Sequence, residues 1–218
     1  MKKSYPLAAR LGAVVRVVRR PGDFVLTGEA LVLVHGAARP PDGDDAGRIR
    51  EAFALGPRRT PAQDVRYIAQ HLTEIAVRAL SPGINDPVTA TGCLDWLGEG
   101  LAELARRTPE PAGRYEDGKL RVLTRPVTFA ELAELAFDPV RTYGAGDPAV
   151  VVHLIRTLVR IGRAGGGADR TALLRLAEQT AEDAHRQIEN EADRARIKDA
   201  LARARAALGA DGAAPGPG

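Results

Sequence analysis

Seven side chains have the types and spacing to hold a charged small molecule: Arg59, Asp64, Arg78, Asn85, Asp86, Arg141 and Tyr143. Arginine grips carboxylate or phosphate through a planar fork of donors, and an aspartate or asparagine beside it can orient the bound group or move a proton. All seven fall at the ends of helical patterns. Local chemistry already explains part of the set, because Asp86 before Pro87 reads as a helix N-cap and Asp64 falls on a first helical turn, where the dipole favours a carboxylate. Arg59, Asn85, Arg141 and Tyr143 have no such local explanation. The competing structural reading is a buried ion-pair network that holds the corner between helices. Asn85 has two readings: a left-handed turn residue, or a hydrogen-bonding partner of the Arg59–Asp64 or Arg141–Tyr143 segments. The second is the expectation, since Ser81-Pro82-Gly83 already supplies turn chemistry.

Other chemistries are weakly supported. Ser81 lacks a nucleophile elbow, Cys93 sits inside a helical pattern, and there is neither a phosphate loop nor a dinucleotide fingerprint. Glu182-x-x-His185 is half of a di-iron bundle motif, which needs a second such pair and two more glutamates; His71 and Glu74 offer the spacing in reverse order. No metal and no cofactor is expected.

The elements that must position these groups can be read from patterning. Residues 12–36 read as three short strands broken by Pro21-Gly22-Asp23 and Thr27-Gly28-Glu29, with spacing that resembles half of a lipoyl- or biotinyl-type barrel. With no lysine between Lys3 and Lys119, covalent modification of this module is not expected. The boundaries drawn are a β module over 1–38, a linker over 39–47, a helical domain over 48–208 and a disordered tail over 209–218. Within the helical domain, Asp44 or Asp45 caps a short helix to Leu55. Thr60-Pro61-Ala62-Gln63 is a capping box opening a helix to about Leu80, with Val65, Ile68, Leu72, Ile75, Ala76 and Ala79 as its buried stripe. After the Ser81–Pro87 turn a helix runs to about Arg107, buried through Leu94, Leu97, Leu101 and Leu104. A β-hairpin on Asp117-Gly118 is predicted over 114–123. Thr128 and Asp147-Pro148 open two more helices, Asp138-Pro139 kinks or restarts the first of them, and two further helices follow Gly165-Gly166-Gly167. The fold class is mainly α (α+β): a six- or seven-helix bundle with a small N-terminal β module and one short hairpin.

Composition narrows the function classes. At 218 residues, with 44% hydrophobic and 27% charged residues, the chain reads as an ordinary globular protein. Its net charge is only +3, and its 27 arginines against four lysines are scattered among acids, so no nucleic-acid partner is expected. One cysteine allows no intrachain disulfide. No segment has the apolar length of a membrane span and no apolar stretch follows Met1-Lys2-Lys3, so the polypeptide as given is expected to be cytoplasmic.

Three motifs carry a family resemblance. They are Arg59-Thr60-x-x-Gln63-Asp64; Ile75-Ala76-x-Arg78-Ala79-Leu80-Ser81-Pro82-Gly83-Ile84-Asn85-Asp86-Pro87-x-Thr89-Ala90-x-x-x-Leu94-Asp95; and Phe137-Asp138-x-Val140-Arg141-x-Tyr143-Gly144. Together with Pro21-Gly22-Asp23-Phe24-Val25 they resemble the bacterial family of predicted membrane proteins called domain of unknown function 2254, over roughly residues 8–208. Pro139 departs from the family pattern, in which a polar residue follows the aspartate. The resemblance implies a membrane part, through N-terminal transmembrane helices absent from this stretch, and membrane association where they are present. It supplies no reaction. The expected function is a soluble binding or regulatory domain of a membrane-tethered protein, with a polar pocket at the Ser81–Pro87 turn, a small anionic ligand and room for an oligomer. The alternative is an enzyme acting on an anionic or phosphorylated small molecule through Asp64, Asn85, Asp86 and nearby arginines.

Overall fold

The computed structural model describes residues 4–166 and 168–209. The tail expected over 209–218 therefore lies outside the described residues, apart from Gly209. The described residues form two compact units, one from the N-terminal part up to Asp64 with Glu110–Val127, the other from Val65–Pro109 with the part from Thr128 onward. The fold is mainly helical with one small mixed sheet.

In the first unit, α1 (Ser4–Leu11) leads into β1 (Val14–Val17) and β2 (Val32–His35). The hairpin β3 (Gly113–Glu116) and β4 (Lys119–Leu123) forms where expected, on Asp117 and Gly118, both at positive φ as a tight hairpin turn requires. Its partner was not legible. β4 runs parallel to β1, with Val15 opposite Val122, and the sheet order is β2-β1-β4-β3. Val15 and Val122 are buried at that junction. Leu7, Leu11 and Ala13 make a small core with Val34, Ala37 and Ile49. The expected strand at Phe24–Leu26 does not form; Phe24 is 84% exposed and nothing in the sheet pairs with it.

The helix α2 (Gly43–Arg50) is capped by Asp42 rather than by Asp44 or Asp45, and stops short of Leu55. Asp45 instead completes a capping box: its N–H donates to the Asp42 carboxylate (2.9 Å) and its own carboxylate accepts from the Asp42 N–H (3.2 Å). The Asp45 carboxylate is buried and paired with Arg10 and, at 2.8 Å, with Arg39. Burial alone would raise this carboxyl. Hydrogen bonds from the Asp42 N–H and Arg39, with the charges of Arg10 and Arg39, outweigh it and hold the group below the usual carboxylate range. A carboxyl whose folded value is depressed contributes stability above its unfolded value of about 3.9 and loses it as pH falls through the folded value. Denaturant midpoints followed downward from neutral pH should therefore fall more steeply for the parent than for Asp45→Asn, which should start destabilised at neutral pH. Identical slopes would remove Asp45 from the acid response.

The second unit holds six helices among the described residues: α3 (Val65–Ala79), α4 (Pro87–Ala105), α5 (Phe129–Gly144), α6 (Pro148–Ala164), α7 (Arg170–Gln187) and α8 (Glu191–Leu208). Asp86 and Asp147 cap α4 and α6 with proline at the first helical position, and Thr128 with Glu131 closes a capping box on α5. Pro139 neither ends nor restarts α5, which runs unbroken through it. Helix α6 packs against α4, α5, α7 and α8, and buries Leu154, Ile155, Leu158 and Ile161. Leu94, Leu97 and Leu101 of α4 are buried as expected.

Helix α3 corrects two expectations. The Thr60 capping box does not form: residues 61–63 make a turn and the helix begins only at Val65. Ala76 and Ala79 are buried as expected, but they are joined by Ala69 and Thr73, while Val65, Ile68 and Ile75 stay half exposed. Small residues win here because they admit close helix contact. The Thr73 hydroxyl donates to the Ala136 carbonyl of α5 at 3.0 Å, a distance a larger side chain would forbid.

Candidate functional site

Arg59 and Asp64 belong to the first unit and bind each other. The Asp64 carboxylate, 4% exposed, accepts from Arg59 Nε at 2.8 Å and lies 2.6 Å from its Nη2. The turn Pro21-Gly22-Asp23 closes over this pair. Gly22 has φ +84°, and a Cβ placed on it would sit 1.8 Å from Asp64 Oδ2. Beside it, the Asp23 carboxylate accepts from the Arg20 N–H at 2.8 Å. The Arg20 guanidinium donates to the carbonyls of Arg125 (2.7 Å) and Pro126 (2.9 Å). Two distant segments thus meet at one buried carboxylate, and Arg20 ties the turn to a third. Sequence reasoning singled out Arg59 and Asp64 but missed Gly22 and Arg20. A glycine before an aspartate reads as turn chemistry alone, and nothing local announces a carboxylate pressed against it.

The remaining candidates belong to the second unit. The Ser81–Asp86 turn is tied to its own backbone: Ser81 Oγ donates to the Arg78 carbonyl (2.7 Å), and the Asn85 N–H donates to the Ser81 carbonyl (2.9 Å). The Asp86 N–H donates to the Ala79 carbonyl at 2.8 Å. Asp86 caps α4 by accepting from the Thr89 N–H and hydroxyl, and these bonds hold its carboxyl below the usual range. Asn85 is exposed with φ +49°, which corrects the expectation of a buried cross-link. The left-handed backbone is the reason for an asparagine there. Asn85→Gly should be nearly neutral and Asn85→Ala should cost about 1 kcal/mol. Chemical denaturation checks this, and a costly Asn85→Gly would restore the cross-link.

Arg141 is also accounted for within its unit. Its guanidinium spans two carboxylates, Asp138 at 3.1 Å and Asp183 of α7. Arg78 and Tyr143 are exposed, Tyr143 to 64%. Gly144, next to Tyr143, packs under Leu80 and Val150, so the end of α5 and the start of the turn adjoin. The exposed residues there include Arg78, Ile84, Asn85, Val88 and Tyr143.

The catalytic alternatives find little support in the geometry. No group of three or more His, Cys, Asp or Glu side chains able to hold a metal occurs among the described residues. Glu182 accepts from Arg186 at 2.8 Å. Cys93 is buried, which pushes its thiol up and away from nucleophilic character.

A family model described as "Predicted membrane protein (DUF2254)" matches residues 4–160. The chain is 31% identical over 207 residues to the uncharacterised protein Rv1290c of Mycobacterium tuberculosis, covering 91% of the chain and 39% of that protein. Its likeness to the uncharacterised protein Mb1321c of Mycobacterium bovis has the same identity and extent. The chain thus spans well under half the length of these relatives. No solved structure matches it. No helix among the described residues is long and apolar enough to cross a membrane.

Proposed function

The chain belongs to the DUF2254 family of predicted membrane proteins, and from that premise we propose that this part of it is a binding or regulatory domain, working outside the bilayer on behalf of a membrane-tethered whole. Its recognition surface is the exposed end of the helical unit at the Ser81–Pro87 turn. One observation carries the reading. A backbone-locked turn holds Ile84 and Val88 out in solvent (55% and 79% exposed), with Arg78 and Tyr143 exposed on the adjoining helix ends. A guanidinium and a phenol beside apolar side chains suit a small anion with an apolar portion. Neither carboxylate that the enzyme reading names stands ready as an acid or base. Asp64 is engaged by Arg59, and Asp86 is spent on its own helix.

A thermal-shift screen against small carboxylates and phosphate esters tests this. A true ligand at about 100 times its dissociation constant should add roughly 2.7 kcal/mol of stability, and Arg78→Ala or Tyr143→Ala should remove the shift. A ligand whose shift survives both substitutions would place the binding surface elsewhere. A ligand consumed on incubation would favour the enzyme.

A further inference from the structure

We propose that the outward face formed by α4 and α6 joins two copies of this chain about a two-fold axis running parallel to these helices. The two helices lie side by side in the same direction: Asp95 is beside His153, a Cβ on Gly98 would meet Thr157, and one on Gly165 would meet Ala105. Their outer rows carry opposite charge. Helix α4 presents Asp95, Glu99 and Glu103 at four-residue intervals, and α6 presents His153, Arg156, Arg160 and Arg163 at three- and four-residue intervals. Asp95 is already satisfied within the chain by His153 (3.1 Å) and Arg160 (3.0 Å), and so ties the two rows together. Glu103 is engaged by Arg106 and Arg107. Glu99 and Arg156 are exposed and make no ion pair among the described residues.

A two-fold axis along the helices exchanges left and right but preserves direction and level. It therefore lays α4 of one copy on α6 of the other. Gly98 and Thr157 share a level, so Glu99 of one copy meets Arg156 of the second, and the contact occurs twice. An axis across the helices would instead lay acid on acid, which repulsion disfavours. Exposed ion pairs alone hold little. Trp96, 71% exposed between Asp95 and Glu99, supplies the anchor, with an arginine of the facing row able to stack on its ring. The acidic row argues against a lipid surface as the occupant, since headgroups of the cytoplasmic leaflet are anionic.

Light scattering coupled to size exclusion on the whole chain should give twice 23.2 kDa, weakening as salt rises. Glu99→Arg or Arg156→Glu should each weaken association roughly tenfold, and both in one chain should restore it. Trp96→Ala should give monomers that still unfold cooperatively, with a melting point that no longer rises with protein concentration as the parent's should. A 23.2 kDa species at every concentration overturns the proposal. So does a dimer whose loss in the single variants is not restored in the combination, or a monomer that floats with anionic vesicles. None of these outcomes bears on the ligand screen at the Ser81–Pro87 turn, so the two readings fail separately.

Discussion

Gly22→Ala is expected to cost roughly 3–5 kcal/mol, a left-handed backbone penalty plus a steric overlap. The overlap is the larger part, since the new methyl would lie 1.8 Å from Asp64 Oδ2. Asp64, 4% exposed, cannot retreat without breaking its bonds to Arg59. A cycle separates the two contributions. In an Asp64→Ala background the closest overlap is gone and only the end of the flexible Arg59 side chain, its Nε 2.8 Å from the new methyl, must shift, so Gly22→Ala should add only about 1–2 kcal/mol. Urea denaturation of the four proteins checks it, and strict additivity would show that the turn moves aside freely. A total of this size is a large fraction of the stability of an ordinary domain.

Arg141→Ala is expected to cost about 1–2 kcal/mol, less than for a fully buried pair because water reaches both partners and Arg186 still pairs with Asp183. The side chains of Arg141 and Asp183 are 19% and 15% exposed, so the loss leaves a largely sheltered carboxylate with Arg186 as its remaining partner. Arg141→Lys should recover little. One ammonium cannot reproduce the fork that spans Asp138 and Asp183. Asp183→Ala combined with Arg141→Ala should cost clearly less than the sum of the two alone. If Arg141→Ala left stability unchanged but abolished a ligand's thermal shift, Arg141 would return to the list of binding residues.

These two expectations also mark where the sequence could be read and where it could not. Caps at Asp86, Thr128 and Asp147 were legible because every group that makes them lies within a few residues, and the hairpin at Asp117-Gly118 was legible for the same reason. The Thr60 box failed although its residue types were right. Asp64 was claimed by Arg59 beside a glycine 42 positions earlier, a tertiary contact that local spacing does not encode. The stripe on α3 was misread for a related reason. Ala76 and Ala79 are buried as expected, but Val65, Ile68 and Ile75 are not: close contact with α5 at Thr73 favours the small residues Ala69 and Thr73 over them. In the candidate site, residue types flagged Arg59, Asp64, Asp86 and Arg141, and their partners proved local or structural. Arg78 and Tyr143, whose chemistry no neighbour consumes in the same way, could be told apart only once exposure was known.

The parallel pairing of β1 with β4 has a consequence for biosynthesis. Val15 finds Val122 only after the 106 residues between them have emerged, and α3 and α4 are made in that interval. At about 5–20 residues per second, one side of β1 waits roughly 5–20 s on the ribosome without its neighbour. An unpaired strand edge is a template for pairing with the wrong chain. The arginine in the middle of β1, Arg16, is then well placed as a guard, because a charge discourages intermolecular strand addition during the wait. The protein's vulnerability to aggregation should accordingly be greatest in nascent chains that end before β4, and should fall sharply once Leu123 has been synthesised.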